Sequence, residues 1–364
     1  LLTTSGVLGV VASLDLLVLA LFWTASLVPS SLDLRRRAHD ASHARASRVF
    51  DVFLLVGAWP MLLTVALVGL SRARAGSADW FTLGDGAGPL PASDQAAVFT
   101  AAVVAVAVRK AVFPLHAWLP ILVERGPLGI SAMTVAPHLG AFLLLRVAIP
   151  LAPEAAAHGL PLFAGLALAS SLYAAFAAVA QRRLLRALGY ALTSQLGLVV
   201  VGLAGGNVES LHGSMLTMLS LGLSATGLLV IAKGLEARFG TTDFGRLGGL
   251  AQRFPLMAAT FLLLSMASIG VPGSLGYVAE DLLLHGLLHG HVALAAALLV
   301  TTLLIGIVLL RAYFAVFLGP ENPTSPPGGA LGDLLPREAL GLGLVLALLA
   351  ASGLAPQRLL DLRA

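Results

Sequence analysis

The sequence lacks cysteine altogether, and only 11% of its 364 residues are charged. Without cysteine, the chain forms neither a disulfide nor a cysteine-ligated metal centre. An ordinary soluble domain carries about 25% charged residues, so the low charge content excludes that class. The net charge of +4 is modest, and its arginines stand in short segments between apolar runs, which is not the pattern of a nucleic-acid-binding protein. The sequence predicts no site for a flavin, a nicotinamide, an iron–sulfur cluster or another metal centre.

Long apolar runs fill most of the chain, and 58% of its residues are hydrophobic. Several runs approach or exceed the roughly 20 residues with which a helix crosses about 30 Å of hydrocarbon. No segment shows the alternation of a half-buried strand. The pattern predicts an all-α polytopic membrane helix bundle that forms one domain over residues 1–364. The predicted spans are the end of one span and a second span within 1–31, followed by 49–70, 96–118, 129–151, 159–180, 187–204, 211–233, 255–271, 274–289, 292–318 and 338–354.

Three of the segments between these spans are rich in arginine. Residues 33–48 contain five arginines and two aspartates, and residues 181–186 and 233–249 are also net basic. The other predicted loops, 71–95 and the Pro/Gly-rich 319–333, lack this excess. Even numbers of predicted spans separate the three basic loops, so all three fall on one side of the membrane. Short basic loops stay in the cytoplasm, which predicts that orientation and favours the inner membrane of a prokaryote.

Arg109 and Lys110 end the uncharged run 95–108, although the chain contains only two lysines. Pro114 follows, and a proline within a helix removes one backbone hydrogen bond and clashes with the carbonyl group four residues earlier. A charge at the centre of a membrane helix costs about 2.5–3.5 kcal/mol, and a broken helix persists there only inside protein or beside water. The segment predicts a buried cation on an ion path. The alternative is a pair of interface residues that snorkel towards water.

His138 stands beside Pro137 within another apolar run. Histidine changes charge more easily near neutral pH than any other side chain, which suits a proton relay. The alternative is a packing residue with satisfied hydrogen bonds. Asp15, at the start of the second predicted span, is interpreted as a helix cap.

Glu280 and Asp281 are adjacent acids within the apolar segment that follows Pro272 and Gly273. One of them could cap the new half of the helix, because carboxylates favour helix N-termini. Two neighbouring acids at membrane depth favour a functional role for at least one. The chain therefore has two interrupted helices, one in each half, each with charge at the break. Transporters built from related halves have this pattern.

Several segments, taken in order, resemble the antiporter-like membrane subunits of respiratory complex I, and the M-type subunit is the most similar. The resemblance covers essentially the whole chain. The wider family includes Mrp cation/proton antiporters and membrane subunits of energy-converting hydrogenases, and its members begin with further helices that we expect to be missing here. The segments that carry the resemblance are "FPLHAWLP", "LLLRVAIPL", "GYALTSQLGLVVVGL", "GLSATGLLVIAKGLEARFGTTDFGRLGGLAQRFP", "LLLSMASIGVPGSLGYVAEDLLL" and "LLRAYFAVFLG".

The resemblance implies a proton path through buried titratable residues, driven from a neighbouring redox module. Glu280 matches the acid of the second broken helix in the M-type pattern. A central lysine or histidine follows in the family, and His138, counted back from Arg146, falls on the central lysine. Arg109 stands where the first-half lysine is expected, and Lys110 follows one position later. These four residues are the expected proton relay.

Three positions depart from the family pattern. Thr24 replaces the glutamate that pairs with the first-half lysine, and Leu221 replaces a histidine. Arginine is in practice never deprotonated, so Arg109 cannot itself exchange a proton, and Lys110 must do so if any residue there does. Without an acid at Thr24, the lysine also lacks a group that would modulate its pKa.

The sequence therefore predicts a proton-translocating subunit of a complex-I-like assembly, embedded in the lipid bilayer among other membrane subunits, with no cofactor of its own. Redox chemistry is expected in partner subunits. Two alternatives remain. One is a subunit of a Mrp-type antiporter or of a bicarbonate-uptake or hydrogenase complex, and the other is a non-conducting scaffold.

Overall fold

The described part of the chain consists of helices and the segments that connect them, and its only β-structure is two isolated bridges. The fold is taken from a computed structural model. The described residues are 1–38, 40–84, 88–290, 292–320 and 332–357. The all-α membrane fold predicted from the sequence is confirmed. By its internal contacts the chain divides into two compact units, Leu1–Ala167 and Leu168–Ala364.

The first unit consists of short helices around one long helix. Most are shorter than a membrane span and follow one another with only a few residues between them. They are α1 (Leu2–Ala12), α2 (Leu16–Ala25), α3 (Val28–Arg36), α4 (Ala41–Arg74), α5 (Ala92–Arg109), α6 (Trp118–Arg125), α7 (Leu128–Val135), α8 (Leu139–Leu143) with a π-helical turn (Leu144–Ala148), and α9 (Ile149–Leu151). Helix α10 (Pro153–Val179) begins in this unit and ends in the second.

The second unit has longer helices. They are α11 (Leu184–Leu203), α12 (Val208–Phe239), α13 (Pro255–Ser268), α14 (Leu275–Leu288), α15 (Val292–Tyr313) with a π-helical turn (Phe314–Leu318), and α16 (Pro336–Leu354). Across the described ranges of both units, nine helices are long and apolar enough to cross a membrane, judged by length and composition.

The basic loops are shorter than the sequence predicted. Most of 33–48 is helical, because α3 continues to Arg36 and α4 begins at Ala41. Helix α12 likewise runs on to Phe239, into the predicted loop 233–249. Arginines in the last turn of α3 favour such extension, because a cation stabilises the negative end of the helix dipole. Positions 321–331 of the predicted loop 319–333 lie outside the described residues.

The two basic links of the second unit lie side by side. The amide of Leu184 donates to the carbonyl of Thr242 at 2.8 Å, and the amide of Phe244 donates to Arg182 at 2.9 Å. Both links therefore lie at the same end of this unit, as the even number of spans between them requires.

Both predicted helix interruptions are present. Helix α5 ends at Arg109 and α6 begins at Trp118, so the predicted span 96–118 is wrong in its second half. In the second unit, residues 269–274 separate α13 from α14. A third interruption was not predicted: the span 129–151 is broken at His138, which has a left-handed backbone with φ of 49°.

Helix caps distinguish the acids in the apolar segments. Asp15 caps α2, since its carboxylate accepts hydrogen bonds from the amides of Leu17 and Val18, as predicted. The interpretation of Glu280 or Asp281 as a cap is wrong. Ser274 caps α14, and the two acids lie almost two turns further along the helix.

Helices α12 and α14 approach closely because glycines stand at their contact. A Cβ atom on Gly213 would lie 2.5 Å from the amide nitrogen of Leu283, and one on Gly286 would lie 2.4 Å from that of Ser210. Small residues allow membrane helices to pack backbone against backbone. This contact holds α14, and Glu280 on it, in a fixed position.

Candidate functional site

The first broken helix ends in a tight turn. Lys110 caps α5, and Ala111 adopts a left-handed φ of 52° before Pro114. The break frees backbone groups, and one of them is satisfied by Trp118, whose indole nitrogen donates to the carbonyl of Val108 at 3.0 Å. The turn is buried at Ala111 and Val112, whereas Phe113 and Pro114 are exposed.

Lys110 and His138 meet at this break. The Nζ atom of Lys110 lies 2.7 Å from Nδ1 of His138, and the two residues are only 1% and 6% exposed. The left-handed backbone of His138 interrupts its helix and places the ring beside Lys110. Gly140 permits this approach, because a Cβ there would lie 3.0 Å from Cγ of Lys110. The sequence predicted both residues as relay members, and the structure places them in direct contact.

Arg109 is buried beside Lys110 but points to different neighbours. Its Nη2 donates to the hydroxyl of Ser26 at 2.9 Å, and its guanidinium lies 5.0 Å from the ring centre of Trp23. Its Nε and Nη1 atoms have no hydrogen-bond partner, and no carboxylate of the described ranges pairs with it. Arg109 is therefore a buried cation without a counter-charge. The snorkelling alternative fails for both Arg109 and Lys110, because both side chains are enclosed by protein.

Glu280 lies in the second unit, where it borders a small polar cavity of about 50 Å³. The Thr302 hydroxyl hydrogen-bonds to its carboxyl group. On the other side, the break brings Gly270 against it, and a Cβ there would lie 2.4 Å from Oε2 of Glu280. Because Gly270 has a φ of 71°, only glycine meets both the steric and the backbone requirement. The remaining polar side chains around the cavity belong to Gln195, Thr217, Ser220, Ser224 and Ser268.

The polar groups that line the cavity beside Glu280 are neutral hydroxyls and an amide, and the rest of the lining is apolar. Gln195 donates from Nε2 to the carbonyl and hydroxyl oxygens of Ser268, at 3.2 and 3.1 Å, and so closes the end of α13. Leu221, the position at which the family pattern has a histidine, also lines this cavity. A single carboxyl group among neutral donors and acceptors can take up and release a proton without breaking an ion pair.

Thr24 borders a separate cavity of about 250 Å³ in the first unit. Its hydroxyl is used locally and donates to the carbonyl of Ala20 at 2.9 Å. The same cavity is bordered by Asp51 on α4, which is hydrogen-bonded to Ser31 and paired with Arg35 at 2.8 Å. The sequence analysis missed Asp51. The available signal was a lone acid inside the apolar run "VFDVFLLVGAW".

Asp51 lies at the depth of the first break. The preceding residue, Phe50, packs edge-on against Trp118, with ring centres 6.2 Å apart. Gly57, six residues after Asp51 on α4, faces Val108 on α5. Between these two contacts, α4 passes alongside the break that separates α5 from α6. Asp51 is the acid on this part of α4.

No group of three or more His, Asp or Glu side chains arranged for a metal ion occurs within the described ranges. The arrangement instead suits proton exchange. Nζ of Lys110 and Nδ1 of His138 lie within hydrogen-bond distance, at 2.7 Å, in the first unit, and an isolated carboxyl group borders a cavity in the second. A bundle of apolar helices, broken where buried titratable residues stand, places the chain in the class of polytopic membrane proteins with interrupted helices.

The chain belongs to the family described as NADH:quinone oxidoreductase/Mrp antiporter, transmembrane, whose model matches residues 13–306. It is an integral, multi-pass membrane protein. It is 36% identical over 314 residues to NADH-quinone oxidoreductase subunit 13 of Thermus thermophilus, an alignment that covers 85% of this chain. It is 30% identical to subunit M of the Mycobacterium tuberculosis enzyme over 98% of its length. In both cases the chain spans 66% of the relative.

Solved structures give the same fold. A chain of respiratory complex I from Thermus thermophilus with bound NADH matches with a TM-score of 0.87 and 31% identity, over 97% of this chain and 74% of that one. A chain of the Mrp complex from Dietzia sp. matches with a TM-score of 0.85 and 24% identity, over 99% and 75%. The second likeness concerns the fold alone.

Proposed function

We propose that this chain carries protons through the membrane arm of a complex-I-like assembly. The observation that carries the proposal is the direct, buried contact between Lys110 and His138 at a helix break. Burying a charge without a partner of opposite charge costs free energy. Lys110 and His138 are buried in contact, and no acid of the described residues pairs with either of them, so the pair does little to stabilise the fold. The same pair is suited to passing a proton from one nitrogen to the other.

In the proposed first step, Lys110 holds the proton as an ammonium group and donates its hydrogen bond to Nδ1 of His138. Transfer along this bond leaves a neutral amine and a protonated imidazole. The imidazolium then releases the proton on Nε2, and because this atom has no partner among the described residues, the acceptor in this proposal is a water molecule or a group of another subunit. Arg109 keeps its charge throughout, and its field favours departure of the proton from the neighbouring ammonium group.

Glu280 is the proposed carrier of the second unit. Its carboxyl group borders the polar cavity and hydrogen-bonds to Thr302, so both its protonated and its ionised forms have polar neighbours. Among the expected relay positions, it keeps the residue type of the M-type pattern without change. We propose that it loads and releases one proton for each cycle.

Asp51 is the proposed substitute for the acid that the family pattern places at Thr24. It borders the same cavity as Thr24 and lies at the depth of the first break. Its partners, Arg35 and Ser31, stabilise the ionised form. In this proposal a carboxylate remains in the first unit but is supplied by α4.

The proposed setting is a multi-subunit complex in the cytoplasmic membrane of a prokaryote. Other membrane subunits flank the chain, and a redox module elsewhere in the complex supplies the driving energy. The relatives named above are subunits of NADH-quinone oxidoreductases, which supports this setting. A Mrp-type cation/proton antiporter is the second candidate, and it is supported by the description of the family, which names Mrp antiporters together with NADH:quinone oxidoreductases.

The test is purification of the intact complex through a tag on this chain, followed by identification of its subunits and reconstitution into vesicles with a pH-sensitive dye. Redox subunits together with substrate-driven proton uptake support the first function. Antiporter subunits with cation-driven proton movement support the second. Assembly without any proton movement through this chain supports the scaffold alternative.

A further inference from the structure

The outward face of α14 carries a row of polar side chains where a lipid-facing helix carries apolar ones. Tyr277, Asp281, His285 and His289 follow one another at intervals of four residues, so they lie on one face of the helix. Their exposed fractions are 43%, 48%, 57% and 73%. We call these four residues the α14 stripe. The opposite face, with Ala279, Leu283 and Gly286, is buried within the unit.

The depth of the stripe makes its exposure unusual. Helix α14 is the second half of an interrupted span, and Asp281 is its seventh residue, about 9 Å from the break at 1.5 Å per residue. The other end of the helix reaches His289, next to the start of α12. Asp281 therefore lies at hydrocarbon depth, where a carboxylate that faces lipid is strongly disfavoured.

Neighbouring α15 shows what a lipid-facing surface looks like in this chain. Its exposed residues are apolar along the whole helix. They are Leu299, Val300, Leu303, Ile307 and Leu310. Because the exposed faces of α14 and α15 differ so clearly, the α14 stripe has a different neighbour from the lipid that α15 contacts.

Asp281 is also separate from the proton relay. Glu280 is turned towards the cavity and Thr302, whereas the next residue points about 100° further round the helix and away from the cavity. Among the described residues, the carboxylate of Asp281 contacts only His285 of its own helix, at 3.4 Å. Nearly half of its surface is open to an outside partner.

We propose that the α14 stripe docks a transmembrane helix of a neighbouring subunit, and that this helix presents a lysine or arginine to Asp281. Charge complementarity selects this occupant. The stripe has one acid at membrane depth, and Glu209, 3.8 Å from Nδ1 of His289, adds a second acid at its end. A basic side chain between helices neutralises the carboxylate and removes it from lipid. The inference rests on the proposed membership of a membrane complex.

The first test locates the partner without removing Asp281. A photoreactive benzoylphenylalanine replaces Tyr277 in the tagged chain of the intact complex, and a matched probe replaces Leu303 on α15. We expect the Tyr277 probe to attach to another membrane subunit, within one or two helical turns of a lysine or arginine, and the Leu303 probe to attach to none. Attachment of the Tyr277 probe to lipid alone, or to a second copy of this chain, overturns the proposal.

The second test measures the charge pair. Loss of one partner of a buried charge pair costs enough to weaken association by about 30-fold or more. We expect Asp281→Leu and Asp281→Lys each to lower recovery of the cross-linked subunit with the tagged chain by that factor. Changing the partner's basic residue to aspartate should restore recovery with Asp281→Lys. If the residue faced lipid, Asp281→Leu would leave recovery unchanged or raise it, and that result overturns the proposal.

The two readouts separate this inference from the proposed function. Subunit recovery measures docking, whereas dye quenching in vesicles measures proton movement. Docking with no proton movement through the chain leaves the inference standing and removes the proposed function. If the Asp281→Leu complex keeps its normal subunit composition and still moves protons, the proposed function stands and the inference about docking is overturned.

Discussion

Nζ of Lys110 and Nδ1 of His138 lie 2.7 Å apart, although 28 residues separate them in the chain. Each stands at a point where a helix stops, one at the C-cap of α5 and the other in the left-handed turn before α8. Both side chains are closed off from solvent. Two helix interruptions thus combine to bring two proton-accepting nitrogens into contact.

Replacing the lysine of this pair should stop proton exchange in the first unit. Lys110→Ala removes the proton-carrying amine, and we expect proton translocation in reconstituted vesicles to fall by about tenfold or more. Arg109→Lys should have a smaller effect, because the positive charge beside Lys110 survives. The measurement is dye quenching per substrate turnover, with assembly checked by gel filtration.

The opposite result would reverse these assignments. If Lys110→Ala translocates normally while Arg109→Ala fails, the arginine position carries the function and Lys110 is structural.

His138→Asn tests the second member of the pair and keeps its left-handed backbone conformation. Asparagine tolerates the left-handed conformation better than other non-glycine residues, so the break should persist. Its amide still hydrogen-bonds to Lys110 but cannot take up a proton. We expect normal assembly with proton translocation reduced about tenfold or more. Wild-type translocation in this variant would show that His138 is a packing residue after all.

Glu280→Gln keeps the size and hydrogen bonding of the side chain and removes its ability to ionise. The complex should assemble, because the polar neighbours of the cavity remain satisfied, but most proton transfer through this chain should be lost. Glu154→Gln is the control, since that residue is exposed in the first turn of α10. Equal translocation in both variants, with assembly confirmed, would favour the scaffold alternative.

Asp51→Asn tests whether α4 supplies the missing acid. Without the carboxylate, proton translocation should fall, and Thr24→Glu should restore part of it by returning an acid to the same cavity. Asp33→Asn is a matched control, because Asp33 is likewise paired with an arginine, at 2.9 Å, but on the surface of α3. A normal rate in Asp51→Asn would make its pair with Arg35 a structural contact.

Orientation can be tested with single cysteines, because the native chain contains none. Cysteine at Ser42 or Thr241 reports the side of the basic segments. Cysteine at Ser93, in the first turn of α5, reports the side of the loop between α4 and α5. In intact cells, an impermeant thiol reagent should label the Ser93 position only. Labelling of the first two positions from outside would invert the predicted topology.

The sequence analysis located the charged breaks because proline and intramembrane charge are local signals. Arg109, Lys110 and Pro114 lie close together in the chain, and the two acids follow Gly273 within about two helical turns. The cap at Asp15 was predictable for the same reason. The lengths of the apolar runs are read directly from the sequence, and they were sufficient to predict a membrane protein.

Other features depend on contacts between distant segments. The pairing of Lys110 with His138 requires Gly140 to let α8 approach α5, and the position of Asp51 depends on how α4 packs across the break. The polar cavity at Glu280 exists because α13 ends beside α14. Glu280 and Asp281 are adjacent acids, and the sequence alone does not distinguish their surroundings. Helix rotation turns one towards the cavity and the other outward, and only tertiary packing decides which of the two borders the cavity.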